Sequence, residues 1–169
     1  MKPTDKPIKN CYWVVPGKFL AGEYPGDLEA KSAQMKINAL IHAGITVVID
    51  LTEEREGLLP YSDLLVAVSH QRFPVRDMST PVSKTQTVAI LDAIDHHIEH
   101  GGMVYLHCLG GIGRTGVIVG CWLARYGFKG AAALAKLHEL WRQCPKAIFQ
   151  KSPETRAQEQ YILRWEEAQ

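Results

Sequence analysis

The segment His107-Cys108-Leu109-Gly110-Gly111-Ile112-Gly113-Arg114-Thr115-Gly116 combines a nucleophile, a cation and a glycine-rich turn. A strand pattern over Met103–His107 ends at the cysteine, and a helical pattern starts at about Gly113. Small residues let such a loop curl with its backbone N–H groups inward, and the helix N-terminus adds unpaired donors. The segment is therefore predicted to hold a phosphate-like dianion without a metal.

The side chains of this segment suggest how a bound phosphate would react. The same donors favour the thiolate form of Cys108, which is the nucleophilic form. Arg114 presents a planar fork that can grip two phosphate oxygens. Thr115 can donate its hydroxyl to the sulfur and ease the departure of the thiolate. His107 could fix the loop from behind, although a histidine that ends a buried strand is often only a core residue.

A proton donor must also lie near the sulfur, because a thiolate alone cannot expel an alkoxide. Asp77 follows a strand predicted at about Gln71–Val75, which is expected to end at the same sheet edge as the cysteine loop. Asp77 is therefore the candidate acid, and afterwards the base that activates water. A solvated loop aspartate is the alternative interpretation.

The surrounding pattern alternates strands and helices. A hairpin is predicted over Tyr12–Ala21, a helix from Asp27 to about Ala43, and a strand over Ile45–Leu51. Ser83 and Gln86 have the spacing of a capping box at the start of the next helix. The alternation predicts an α/β fold, with a central, mostly parallel sheet flanked by helices and the anion loop between a strand and a helix N-terminus.

Composition narrows the class of protein further. The 169 residues carry a formal charge of +1, which provides no global field for nucleic acid or an anionic membrane. The apolar stretch Met103–Ala124 contains His107, Arg114 and five glycines, so no membrane span is expected there. The four cysteines have no paired spacing, which suits a reducing, cytoplasmic location. Residues 1–10 are predicted to be a flexible leader and residues 11–169 a single domain, most simply a monomer.

The arrangement His-Cys, five residues, then Arg-Thr resembles the signature of the cysteine-dependent protein tyrosine phosphatase superfamily. The short chain is similar to the compact dual-specificity group, over about Tyr12–Trp165, with Asp77 at the position of the mobile-loop general acid. The resemblance implies a cofactor-free hydrolase that dephosphorylates proteins through a phosphocysteine. It also implies inhibition by phosphate and other oxyanions.

A second segment, Ser152–Gln158, resembles the loop that positions hydrolytic water with two glutamines in some family members. Gln158 matches the second glutamine, but Glu154 occupies the place of the first. The alternative is an ordinary helix start, with Ser152 as the N-cap, Pro153 as the first helical residue and Glu154 in the first turn.

Other functions share part of this pattern. A phosphoinositide or small-molecule phosphatase of the same fold is one alternative. Family members that take polyphosphorylated lipids usually carry lysines in the phosphate loop, where this chain has Leu109 and Ile112. An acidic run of three glutamates would also repel such head groups: Glu53, Glu54 and Glu56.

Two further alternatives belong to other functional classes. A phosphoprotein-binding module without turnover is disfavoured because Cys108, Arg114 and Asp77 are all intact. Gly111–Gly116 also fits the dinucleotide-binding pattern of glycines, but that function would leave Cys108 without a role. It also requires a second strand where Ala131–Glu139 is helical in pattern.

Overall fold

A five-stranded sheet forms the centre of the computed structural model, which describes residues 5–167. The strands are β1 Cys11–Val15, β2 Phe19–Gly22, β3 Val47–Asp50, β4 Ser69–Arg72 and β5 Val104–His107. They lie in the order β1-β2-β5-β3-β4, with β1 and β2 antiparallel and every other neighbouring pair parallel. The prediction of a mostly parallel sheet in an α/β fold is confirmed.

Helices cover both faces of this sheet. They are α1 Ala30–Ala43, α2 Lys84–Glu99, α3 Gly113–Arg125, α4 Ala131–Trp141 and α5 Arg156–Leu163. Short 3-10 helices span Glu54–Glu56, Ser62–Leu64 and Pro145–Ile148. Helix α1 packs on one face of the sheet, and the other four helices contribute to the core on the opposite face. Within residues 5–167, no helix is long and apolar enough to cross a bilayer.

The two central strands, β3 and β5, are buried along their whole length. Val104 and Leu106 point into the larger core, while Tyr105 between them points to the face covered by α1. This alternation explains their apolar sequences, because a parallel strand with helices on both faces has no solvent side. His107, Asp50 and Arg72 pair across the carboxyl ends of β5, β3 and β4, so the loops that follow these strands leave from one edge.

Some predicted boundaries are wrong. Helix α1 begins at Ala30 and not at Asp27, and β4 is Ser69–Arg72 and not Gln71–Val75. In the predicted leader, Ile8 is buried and the carbonyl of Asp5 accepts a hydrogen bond from Trp13 Nε1, so this part is packed on the domain. Residues 1–4 of the leader lie outside the described residues.

The predicted start of the last helix is also wrong. The helix begins at Arg156 and not at Pro153, because Thr155 and Gln158 form a reciprocal capping box. The side chain of Thr155 accepts from Gln158 N at 3.2 Å, and the side chain of Gln158 accepts from Thr155 N at 3.0 Å.

Replacement of a buried leucine in the central strand tests the packing of this core. Leu106→Ala leaves a cavity where the side chain is 0% exposed, and it should lower the free energy of unfolding by about 2–5 kcal/mol. Leu28→Ala is the matched control, since Leu28 is 91% exposed and its loss should change stability by less than about 0.5 kcal/mol. Urea unfolding measures both, and equal effects would contradict the described core.

Candidate active site

A pocket of about 270 Å³ opens at the carboxyl edge of the sheet. Eight of the predicted site residues line it: Asp77, Cys108, Leu109, Gly110, Ile112, Gly113, Arg114 and Glu154. Met78, Lys146 and Gln150 complete the lining. The other four predicted residues do not line the pocket, and three of them, His107, Thr115 and Gln158, are fully buried. The structure thus brings the proposed nucleophile, cation and acid to one cavity.

Residues 108–113, the phosphate loop, are held through their carbonyl oxygens. Four of these oxygens accept hydrogen bonds from groups that belong to four different parts of the chain. The bonds are His107 Nδ1 to Cys108 O at 2.8 Å, Tyr24 N to Leu109 O at 3.0 Å, Lys146 Nζ to Gly110 O at 2.9 Å and Ser152 Oγ to Ile112 O at 2.6 Å. The surrounding protein therefore fixes the orientation of most peptide groups in the loop.

This orientation decides which way the N–H groups point. In a planar trans peptide the C=O and the following N–H point in opposite directions. Carbonyls that bond outward therefore turn the next N–H groups toward the concave side of the loop. Gly111 allows the curl, since its φ is +71° and a Cβ there would lie 2.4 Å from the carbonyl carbon of Gly22. The result is a concavity at the start of α3 of the kind that can bind an anion.

Arg114 is fixed beside this concavity by carbonyl and carboxylate oxygens. Its Nη1 donates to Val75 O at 2.9 Å and to Glu56 Oε1 at 2.6 Å, and its Nη2 donates to Glu56 Oε2 at 3.1 Å. The side chain is only 1% exposed. Although partial burial of Glu56 favours its neutral form, the Arg114 hydrogen bonds hold the pKa of this carboxyl below its usual value. The guanidinium is therefore locked in one orientation before any ligand binds.

Asp77 lies across the pocket from the phosphate loop and is much more open to solvent. Its side chain is 52% exposed, and its Oδ1 lies 3.1 Å from Arg114 Nη2. The same oxygen accepts from Met78 N at 2.9 Å. Met78 itself has φ +61°, an uncommon conformation for a residue with a side chain. The predicted acid therefore reaches the site from a turn with a strained backbone.

His107 lies behind the phosphate loop, as expected for a residue that fixes it. Because the carbonyl of Cys108 can only accept, the Nδ1 atom must carry the hydrogen, and Nε2 is left to accept from the Tyr61 hydroxyl. Complete burial lowers the pKa of His107, which favours this neutral form. The ring thus links the loop to the segment that follows β3.

Asp50, next to His107 at the end of β3, organises the same edge of the sheet. It is 1% exposed and accepts from Thr52 N, Thr52 Oγ1, His70 Nε2 and Arg72 Nη2 at 2.6–3.2 Å. Burial works to raise the pKa of Asp50, but the His70 and Thr52 hydrogen bonds outweigh it and hold the pKa well below its usual range. A charged aspartate therefore ties the ends of β3 and β4 together.

Thr115 and Gln158 are both buried but differ in their partners. Within residues 5–167, Thr115 Oγ1 has no hydrogen-bond partner. Gln158 Oε1 accepts from Glu154 N and Thr155 N, and its Nε2 donates to Ser79 O at 2.9 Å. Since Gln158 is 0% exposed, it cannot hold hydrolytic water in this conformation. Glu154, in contrast, is exposed at the pocket.

Sequence reasoning missed several residues that support the site. Glu56 was expected only to repel anions, but it is the bidentate partner of Arg114. A signal for this pairing was present, because a buried arginine needs a counter-charge and Glu56 follows the strand predicted over Ile45–Leu51. Lys146 and Ser152 gave no local signal, since they approach the loop only through the tertiary fold.

Comparison with known proteins agrees with this geometry. Residues 8–162 match the family model described as Swiss Army Knife protein, DSP-PTPase phosphatase domain. The chain belongs to this family. The DSP-PTPase resemblance inferred from the signature segment is confirmed.

Individual relatives and solved structures extend the comparison. Protein 067L of Invertebrate iridescent virus 3, whose name describes it as a candidate tyrosine phosphatase, is 31% identical over 120 residues. That match covers 69% of this chain and 47% of the viral protein, so the chain spans about half the length of this relative. Two crystal structures share the DSP-PTPase fold.

The first of these structures is Tk-PTP in its active form, with a TM-score of 0.71 at 24% identity over 96% of this chain and 95% of that one. The second is kinase associated phosphatase with its catalytic cysteine replaced by serine. It has a TM-score of 0.72 at 17% identity over 85% of this chain and 83% of that one. At these identities the likeness concerns the fold.

The pairing of Glu56 with Arg114 predicts a pH-dependent contribution to the stability of this DSP-PTPase domain. The folded-state pKa of Glu56 lies below its unfolded value of about 4.3, so its contribution is complete above that pH and is lost as the pH falls toward the folded value. Glu56→Gln should therefore be less stable than the wild type at pH 7, and the difference should shrink in acid. Urea unfolding at pH 7 and about pH 3.5 measures it.

Glu54→Gln, in the same 3-10 helix, is the matched control for a lost charge. A stability difference for Glu56→Gln that stays constant or grows in acid would contradict the described ion pair.

Proposed function

We propose that this chain hydrolyses phosphate monoesters of protein side chains, with phosphotyrosine as the preferred group, through a phosphocysteine at Cys108. One observation carries the proposal. The carbonyls of the phosphate loop are bonded outward, which leaves inward-facing N–H groups around a cysteine that is 3% exposed and beside a fixed guanidinium. Membership of the DSP-PTPase family supports the same chemistry.

The first step transfers the phosphoryl group to sulfur. The Cys108 thiolate attacks phosphorus and forms the S–P bond, while the bond between phosphorus and the leaving oxygen breaks. Asp77 gives its proton to that oxygen, so the product leaves as a neutral phenol or alcohol. The loop N–H groups and Arg114 stabilise the charge on the equatorial phosphate oxygens. Substrate phosphate competes with Asp77 for Arg114 Nη2, which separates the two side chains during binding.

The second step hydrolyses the phosphocysteine. Asp77, now a carboxylate, takes a proton from water as the water oxygen attacks phosphorus, and the S–P bond breaks to release inorganic phosphate. The sulfur leaves as a thiolate, which the unpartnered Thr115 hydroxyl stabilises by donating a hydrogen bond. Because the loop and Arg114 supply the positive environment, the proposed reaction needs no metal or other cofactor. Free phosphate and other oxyanions should occupy the same concavity as inhibitors.

The lining of the pocket favours an aromatic monoester over a polyphosphorylated head group. Met78 and Leu109 stand at the pocket 53% and 43% exposed, which provides apolar contact for a ring. The two lining cations are already paired, Arg114 with Glu56 and Lys146 with Glu23 at 2.8 Å. The additional carboxylates of Asp77 and Glu154 would oppose further phosphates.

The setting of the enzyme is also part of the proposal. All four cysteines are free thiols and buried, which suits a reducing compartment such as the cytoplasm. The site is built from residues of one chain, so a monomer would suffice for activity.

Two substitutions test the mechanism. Cys108→Ser should abolish turnover of an aryl phosphate while phosphate or tungstate still binds, and Asp77→Asn should lower kcat/KM on a phosphotyrosine peptide by about a hundredfold. Asp63→Asn is the control, because Asp63 lies in the 3-10 helix Ser62–Leu64, outside the pocket lining, and its replacement should leave turnover unchanged. Phosphate release is measured, and acid-quenched protein is searched by mass spectrometry for phosphate on Cys108.

The outcomes separate an enzyme from a binding module. Wild-type-like turnover in Cys108→Ser, or phosphate trapped on a residue other than Cys108, would overturn the mechanism. Tight binding of phosphopeptides to the wild-type protein without any release of phosphate would instead support a module.

Substrate preference can be tested at the apolar wall of the pocket. Leu109→Ala should raise KM for a phosphotyrosine peptide by about threefold to tenfold, because about 1 kcal/mol of apolar contact with the ring is lost. The KM for a phosphoserine peptide of the same sequence should change little. Kinetics are compared with those on a phosphoinositide panel, and a higher kcat/KM on the lipids would reject the protein preference.

A further inference from the structure

We infer that Gln158 is a positioning residue for the general-acid step: it holds the turn that carries Asp77 against the phosphate loop. The inference rests on the proposed function, and it assigns to Gln158 a role other than water positioning. The proposal depends on one observation: the buried amide of Gln158 hydrogen-bonds two segments of the site and packs against a third.

The first of these segments is the turn that carries the acid. Gln158 Nε2 donates to the carbonyl of Ser79 at 2.9 Å, two residues after Asp77. The same turn is closed by a bond from Ser79 N to Arg76 O at 3.1 Å. The Gln158 bond therefore attaches the far end of a closed turn, while Val75 O at its near end is bonded to Arg114 Nη1.

The second and third segments give Gln158 a fixed base. Its Oε1 accepts from Glu154 N and Thr155 N, both at 3.0 Å, which anchors the amide at the start of α5. Its Nε2 also lies against the phosphate loop, because a Cβ added to Gly113 would be only 2.8 Å away. A side chain that is 0% exposed and bonded at both ends of its amide group has little freedom to move.

The turn needs such a restraint because its backbone is strained. Met78, between Asp77 and Ser79, has φ +61°, a left-handed backbone conformation that is strained for a residue with a side chain. Such a conformation persists only where neighbouring contacts determine it. With Ser79 O released, the turn can relax and carry the Asp77 carboxyl away from the leaving oxygen.

The consequence is specific to one chemical step. A displaced Asp77 impairs protonation of the leaving oxygen, which matters for the phenol of tyrosine, whose pKa is about 10. It matters much less for 4-nitrophenol, a more acidic phenol that leaves readily as the anion. Loss of the Gln158 bond should therefore steepen the dependence of kcat/KM on leaving-group pKa, whereas a general loss of stability should not.

The test measures kcat/KM for a series of aryl phosphates of increasing phenol pKa. Gln158→Glu keeps the acceptors for Glu154 N and Thr155 N but loses the amide donor to Ser79 O, and Gln158→Met removes all of these bonds. Each should lose about tenfold on phenyl phosphate and less than about threefold on 4-nitrophenyl phosphate, with Asp77→Asn as the steep reference.

The control is Gln143→Met. The Gln143 amide also bonds a backbone at two points, Trp13 N at 3.0 Å and Trp13 O at 2.9 Å, but at β1, remote from the acid turn. Its loss should lower the thermal unfolding midpoint without changing the leaving-group slope. Folding of every variant is checked by circular dichroism.

Each outcome decides a different question. The positioning role would be overturned if both Gln158 variants showed the wild-type dependence of kcat/KM on leaving-group pKa while Asp77→Asn showed a steep one. The proposed function would be unaffected by that result. Absence of turnover in the wild type itself would overturn the proposed function. A steeper slope in Gln143→Met as well would also reject the inference, because it would reveal a general effect of destabilisation.

Discussion

The site depends on the outward orientation of the carbonyl groups in the phosphate loop. A free loop of this composition would have no reason to turn its N–H groups to one side, because glycine-rich backbone has many accessible conformations. Here the residues that bond the carbonyls come from the end of β5, the segment after β2, the 3-10 helix Pro145–Ile148 and the segment before α5. Each bond contributes only about 1 kcal/mol, but together they select one conformation. The proposed anion site is thus formed by six residues but depends on contacts from the whole fold.

The fold also fixes the positions of the charged side chains beside the phosphate loop. Arg114 is almost fully buried, and a buried guanidinium must be compensated. Glu56 compensates it through both carboxylate oxygens and thereby sets its orientation before a ligand arrives. Asp77 bonds the other side of the same guanidinium from an exposed turn. A ligand phosphate can therefore replace Asp77 without disturbing Glu56, so binding need not dismantle the support of the cation.

Sequence patterns predicted the strands and helices that have local signals. They failed where tertiary contacts determine where an element starts. The hairpin around Pro16-Gly17, the cap at Ser83 and the apolar strand before Cys108 all have signals within a few residues, and each was predicted close to its observed place. The last helix was placed too early because Ser152-Pro153-Glu154 has the residue types of a helix start. Ser152 instead bonds the carbonyl of Ile112, a partner 40 residues away, which no local pattern can reveal.

The site residues show the same difference between local signals and tertiary contacts. Cys108, Arg114 and Asp77 were predicted together because their chemistry requires each other, and a search for a proton donor had few candidates at the right strand end. Glu56, Lys146 and Gln158 act on backbone or on another side chain, so their roles depend on distances that the sequence does not contain. Even so, a buried arginine needs a carboxylate partner, which could have prompted a search for one in the loops that follow the predicted strands.

The two halves of the site differ in rigidity for a physical reason. The half with the nucleophile must present several N–H groups to one tetrahedral anion, and errors of about 1 Å would weaken all of these bonds together. It is accordingly buried and held by bonds from several elements. The half with the proposed acid, Asp77, would have to admit the substrate and then approach a single oxygen, which suits an exposed turn. The turn is strained at Met78 and bonded to Gln158 at its far end. It can therefore admit the substrate from solvent and still direct Asp77 at the pocket.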